Sequence, residues 1–161
     1  MDFFEVADRF TAKWEGGYVN DPSDQGGETK YGISKKANPD VDISSLTEQS
    51  AKDIRRFNYW DANKLDELPP EIATAVYDFA INSGGSRAVK KLQKVIGSKE
   101  DGIIGPKTIA KLENSDSKAI LKKYLNERET FLKGISTKKD NKKFLRGWLN
   151  RVNDLRKELG V

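Results

Sequence analysis

Apolar residues recur along most of the chain at helical spacing. In residues 2–15, Phe3, Val6, Ala7, Phe10 and Trp14 fall at i, i+3, i+4, i+7 and i+11, the stripe of a helix with one face on a core. Asp2, with Glu5 three residues on, has the form of a capping box, and Gly16-Gly17 stops the helix just past Glu15. The period then changes. Tyr18, Val19, Thr29, Tyr31 and Ile33 are aromatic or β-branched and are broken by Asp-Pro-Ser-Asp and Gly-Gly, which predicts a short β-hairpin or irregular loop. Residues 35–46 are rich in turn formers. Ser45 or Thr47 then caps a helix carrying Ala51, Ile54 and Phe57 up to Tyr59-Trp60. Pro69-Pro70 opens another, with Ile72, Ala73, Val76, Phe79 and Ala80 inward and Asn82-Ser83-Gly84-Gly85 as its close.

Beyond that point Ser86 caps a helix with Ala88, Val89, Leu92, Val95 and Ile96 apolar, and Gly97 ends it. The loop Asp101-Gly102-Ile103-Ile104-Gly105-Pro106 leads to a short helix through Ile109 and Leu112. Asp116 or Ser117 caps a longer one with Ile120, Leu121, Tyr124, Leu125, Phe131 and Leu132. A lysine-rich turn over 136–143 precedes a last amphipathic helix bearing Phe144, Leu145, Trp148, Leu149, Val152 and Leu155. The pattern predicts a mainly α protein of about seven helices with one small hairpin. No repeat or linker interrupts it, so residues 1–161 read as a single domain.

Composition narrows the chemistry. There is no cysteine, which excludes disulfides and thiolate catalysis. There is no histidine either, which removes Ser-His-Asp and Cys-His machinery and the commonest metal ligand. A hydrolase made from this chain must work with carboxylates, helped by Lys, Tyr or hydroxyl groups, and neither a metal nor a cofactor is expected. The net charge of +4, from 29 basic against 25 acidic side chains, favours a polyanionic partner. Because the lysines are scattered and the acids nearly as many, nucleic acid is a poor fit. No apolar run approaches the roughly 18 residues of a membrane span, and no stable membrane insertion is expected. Met1-Asp2-Phe3-Phe4-Glu5 has no basic region and no unbroken apolar stretch, so no secretory signal is expected.

The densest chemistry lies around Glu15. It stands at the carbonyl end of a helix, where the macrodipole disfavours a negative charge, and beside two glycines that leave room for a ligand. The motif Glu15-Gly16-Gly17, six residues, Asp24-Gln25-Gly26-Gly27-Glu28-Thr29, then Tyr31-Gly32-Ile33-Ser34 resembles the signature of glycoside hydrolase family 108. Tyr59-Trp60, Leu68-Pro69 and Tyr77 through Gly84 are similar to the family's middle section. Ala88 through Thr108, with Leu92-Gln93 and Asp101 through Thr108, is similar to the peptidoglycan-binding region that follows it. A looser likeness to phage-type lysozymes keeps the Glu15 to Asp24 spacing but has four residues, not five, before Thr29.

The resemblance implies a lysozyme-like fold, with a catalytic-motif half at 1–85 packed against a helical half at 86–161. It also implies a monomeric peptidoglycan hydrolase, an endolysin cutting the bond between N-acetylmuramic acid and N-acetylglucosamine. Glycosidic cleavage needs a proton donor to the leaving oxygen and negative charge near the oxocarbenium centre. Glu15 is the expected general acid and Asp24 the ionised partner, with Asp21 as its substitute, while Thr29 would hold the attacking water. Asp24 also suits an Asx-turn, and Thr29 a strand-pairing role. Tyr31, Asn82, Tyr77 and Trp60 are the expected sugar contacts, set against packing roles for the aromatics and a helix-end role for Asn82. A lytic transglycosylase, or a noncatalytic peptidoglycan-binding or secretion-assisting protein, are the alternatives. Synthesis in a host cytoplasm and holin-type release to the cell wall complete the expectation.

Overall fold

Nine consecutive residues of one helix, Ile72 through Ala80, are buried, and the molecule is assembled around it. A helix enclosed on all sides must be covered by several others. In the computed structural model, which describes residues 2–16, 19–20, 27–138 and 141–161, this is α3 (Pro70–Ser83). It packs against α1 (Phe3–Trp14), α4 (Gly85–Ile96) and α6 (Ser117–Ile135). The other helices are α2 (Glu48–Arg55), α5 (Pro106–Glu113) and α7 (Leu145–Leu159), the last laid along α6. A three-stranded antiparallel sheet in the order β1 (Val19–Asn20), β2 (Glu28–Lys30), β3 (Ile33–Ser34) follows α1. Thr29 stands opposite both Val19 and Ser34, so the expected hairpin carries a third strand. This mainly α arrangement with a small sheet after the first helix is a lysozyme-like fold.

Caps explain most of the boundaries. Thr47 and Ser50 form a reciprocal capping box at the start of α2, and Asp116 accepts from the first amides of α6. Asp2 accepts from Phe4 N at α1, without the reciprocal bond from Glu5. Ser86 does not cap α4. Gly84, at φ +98°, ends α3 and begins α4, so a single residue separates the two helices and Ser86 lies inside the first turn. The helix that begins at α2 widens into a π-turn over Arg56–Asp61, where Ala62 N donates to Phe57 O at 3.1 Å.

One cluster of buried residues runs from Phe4 to Leu155 and includes residues from every α-helix except α2. A smaller one, Ile33, Ile43, Leu46 and Ala51, lies between the sheet and α2. Within the main core, Phe4, Trp60 and Tyr77 meet edge to face with all three centroid distances at 5.6 Å. Phe3 and Val6, expected inward, are exposed; the inward face of α1 is Phe4, Ala7, Asp8, Phe10 and Thr11. Phe57, also expected inward, is 73% exposed because the π-turn carries it outward.

Candidate active site

Glu15 is the first residue beyond α1. Its backbone is already extended (φ −86°, ψ 118°), while its N–H still donates to Thr11 O. The side chain is therefore aimed by a helix end, and Gly32 lies against it. A Cβ at Gly32 would come 3.1 Å from Glu15 Cγ, and its φ of +82° is one that suits glycine. Glu15 and Gly32 border a groove of about 790 Å³ together with Thr29, Tyr59, Asn82 and Trp148. Among the described lining residues Glu15 is the only carboxylate, whereas Lys36, Arg87 and Arg151 supply positive charge.

Two buried ionic networks stand behind this carboxyl. In the first, Asp78, fully buried on α3, accepts from Arg151 through Nε and Nη2, from Arg128 Nη1 at 2.7 Å and from Thr11 Oγ1 at 2.7 Å. The remaining arm of Arg151, Nη1, donates to Glu15 Oε1 at 2.7 Å. Burial pushes the Asp78 carboxyl up, but the charges of Arg151 and Arg128 and the bonds from Arg151 and Thr11 outweigh it and hold it well below the usual carboxylate range. Burial pushes both guanidiniums down. Arg151, facing two carboxylates, ends above its ordinary value, whereas Arg128 has one carboxylate and Arg151's like charge beside it and ends below. Arg128 lies over the Phe79 ring, and its Nε has no hydrogen-bond partner among the described residues.

The second network fixes the sheet. Arg55 on α2 grips Asp8 on α1 through two bonds of 2.7 and 2.9 Å, and Tyr77 Oη donates to the same carboxylate at 2.6 Å. The free arm of Arg55 donates to Tyr31 O at 2.6 Å, and Tyr31 N donates to Gly16 O. Tyr31 has a positive φ of 51°, a conformation retained because its own N–H and C=O are both held. The next residue is Gly32. The turn that bounds Glu15 is thus tied to the core on one side, and Glu15 itself on the other.

Sequence comparison agrees with this geometry. The glycosyl hydrolase 108 model matches residues 9–84, and a predicted peptidoglycan domain model matches residues 87–153. Among solved structures, "Structure of Brucella abortus SagA" is 36% identical, with 97% of this chain and 92% of that chain covered and a TM-score of 0.86. The chain belongs to glycosyl hydrolase family 108. No curated protein matches its sequence. Together the two family matches support a glycoside hydrolase that acts on peptidoglycan.

Within this family 108 chain the expected site residues separate into groups. Glu15, Thr29 and Asn82 border one groove. Thr29 Oγ1 donates to Gly27 O, and Asn82 Oδ1 accepts from Ser83 Oγ. Asp24 and its substitute Asp21 lie outside the described residues, as do Gly17 and Tyr18. Tyr31 does not border the groove. It lines a smaller cavity of about 430 Å³ between α1 and α2, with Ala12, Lys52, Arg55 and Glu15, which borders both hollows.

Tyr77 and Trp60 are corrected. Both are 0% exposed, their hydroxyl and indole N–H are committed to Asp8 and Asp66, and no ring face is open to a sugar. The described aromatics of the groove are Trp14, Tyr59, Trp148 and Phe144, the last stacked on Trp148 at 5.8 Å. Arg151 went unrecognised from sequence, although a signal existed: it lies on the apolar stripe of Trp148, Val152 and Leu155, where a charge needs a buried partner. Among the described residues no three His, Cys, Asp or Glu side chains converge as a metal site, and no helix is long and apolar enough to cross a membrane.

Proposed function

We propose that the protein is an N-acetylmuramidase that cleaves the β-1,4 bond between N-acetylmuramic acid and N-acetylglucosamine, with Glu15 as general acid. The observation that carries this reading is a half-buried carboxyl, 18% exposed, at the wall of an open groove lined by aromatic and amide side chains. In the reaction the Glu15 proton passes to the glycosidic oxygen, the C1–O bond breaks with its electrons on that oxygen, and positive charge develops at C1. Asp24 is the proposed carboxylate facing that charge, with Asp21 as its substitute and Thr29 orienting water. Tyr59 and Trp148 offer ring faces for pyranose stacking, and Asn82 an amide for the N-acetyl or hydroxyl groups. Lys36 and Arg87 suit the carboxylates of peptide stems.

A monomeric phage-type lysin, made in a host cytoplasm and released to the wall by a holin-type pore, is the biological setting proposed. A second reading is lytic transglycosylation, which needs a single glutamate, and Glu15 at the groove wall meets that need. Mass spectrometry of a peptidoglycan digest separates the two. Reducing muramyl ends are expected, and 1,6-anhydromuramyl ends would overturn hydrolysis in favour of the second reading.

A further inference from the structure

Three ties join the end of α1 to α7, one of them an exposed ion pair of Lys13 with Asp154 at 2.8 Å. Arg151 Nη1 holds Glu15 Oε1, and one residue earlier in α1, Trp14 Nε1 donates to Asp154 Oδ2 at 2.8 Å. Arg151 is itself immobilised, since its Nε and Nη2 are bonded to a carboxylate that Arg128 and Thr11 also grip. The planar fork is thus used on both sides at once, two donors locking it to the core and one reaching the groove. Among the described residues no other hydrogen bond is made to the Glu15 carboxyl, which leaves Oε2 to carry a proton to substrate.

From this geometry we infer that Arg151 is the positioning residue for Glu15, and that α7 is part of the catalytic centre. The inference rests on Glu15 being the acid. The two family matches meet between residues 84 and 87, yet the carboxyl lies in the first and the guanidinium that holds it in the second. The segment matched as a peptidoglycan domain therefore does more than attach the enzyme to its polymer: it completes the site.

The physical reason is twofold. A glutamate just beyond a helix end and followed by glycine has three torsions to fix, and proton transfer needs it within hydrogen-bond reach of one oxygen. Anchoring Oε1 removes most of that freedom. In addition, Arg128, Arg151, Asp78 and Glu15 sum to zero charge when Glu15 is ionised, so the charge that appears as its proton leaves is met by a cation already 2.7 Å away.

The test is steady-state kinetics on soluble uncrosslinked glycan chains, with thermal melts run on each variant. Arg151→Lys keeps the charge but cannot reach Asp78 and Glu15 together. Its kcat is expected to fall about 100-fold with KM within about twofold. Arg128→Lys disturbs the same Asp78 cluster without touching Glu15 and is expected to keep kcat within about threefold, despite a comparable loss in Tm. Equal falls in the two variants, or an undiminished kcat in Arg151→Lys, overturn the positioning role. Asp154 is one-third exposed, so Asp154→Ala serves if neither arginine variant melts cooperatively. It is expected to lower kcat about fivefold at nearly unchanged Tm, and an unchanged kcat overturns the proposal. An active wild type silenced by Glu15→Gln but indifferent to Arg151→Lys refutes positioning alone, whereas a wild type that releases no sugar removes the hydrolase reading as well.

Discussion

Replacing Asp78 by asparagine keeps the side chain's shape and removes its charge from the centre of the molecule. Asp78 accepts three bonds from Arg151, one from Arg128 and one from Thr11, and it is fully buried. Asparagine turns one accepting oxygen into a donor that faces guanidinium N–H groups, and it leaves two buried cations with Glu15 alone as counter-charge. Breaking a buried ion pair from one side costs about 3–5 kcal/mol. In a chain of this length each kcal/mol moves the melting temperature by about 2–4 °C. The variant should therefore melt on the order of 10 °C below wild type by calorimetry at neutral pH.

The pH dependence checks the cause. The folded Asp78 carboxyl ionises well below its unfolded counterpart, so the unfolded chain binds the proton first as pH falls. Its contribution is complete above about pH 4 and drains away as pH drops toward the folded value. Wild type should lose stability steeply below pH 4, and Asp78→Asn should lose much less over the same interval. A melting temperature within 2–3 °C of wild type, or parallel pH slopes, would refute the claim that the ionised carboxylate organises this core.

Tyr77→Phe deletes the donor to Asp8 but leaves the Asp8–Arg55 pair, so it should cost about 1–2 kcal/mol in a denaturant melt and leave kcat and KM unchanged at 25 °C. A raised KM at full stability would return Tyr77 to the substrate site. Gly32→Ala places a methyl group 3.1 Å from Glu15 Cγ at a φ of +82°. It should lose about 1–2 kcal/mol of stability and about tenfold or more in kcat, read by melt and initial rates. Trp148→Ala removes a ring from the groove wall and should raise KM about tenfold with a smaller change in kcat, measured on soluble glycan fragments.

Much of the fold is written locally. The starts of α2 and α6 follow from Thr47 and Asp116, α3 opens at Pro70, and Gly97 and Gly160 end their helices in the left-handed region. Glu15 and Gly32 sit together because the motif places both around one short sheet. What escaped was the polar content of the core. Asp8 and Thr11 lie on the inward face of α1, Arg55 on that of α2, Asp78 on α3, Arg128 on α6 and Arg151 on α7. Each is a polar or charged side chain in phase with an apolar stripe, and that phase is visible along the chain. Their pairing is not, because Arg151 and Glu15 are 136 residues apart and only the folded packing brings them together. The same preference for apolar periodicity assigned Phe3 and Val6 inward, where Phe4 and Asp8 go. For Trp60 and Tyr77 the same spacing set a packing role against sugar contact, and the packing role is the one the core shows, since ring exposure depends on neighbours that periodicity does not give.

The most direct test of the central claim is release of reducing sugar from purified peptidoglycan by wild type and by Glu15→Gln, at equal concentration and with matching melts. Glutamine keeps the side chain's length and an oxygen for Arg151 but has no acidic proton to give. Wild type should liberate muramyl reducing ends, and the variant should be slower by at least about 1,000-fold while folded. Glycan that stays intact with wild type, or is cut equally well by the variant, would contradict the account.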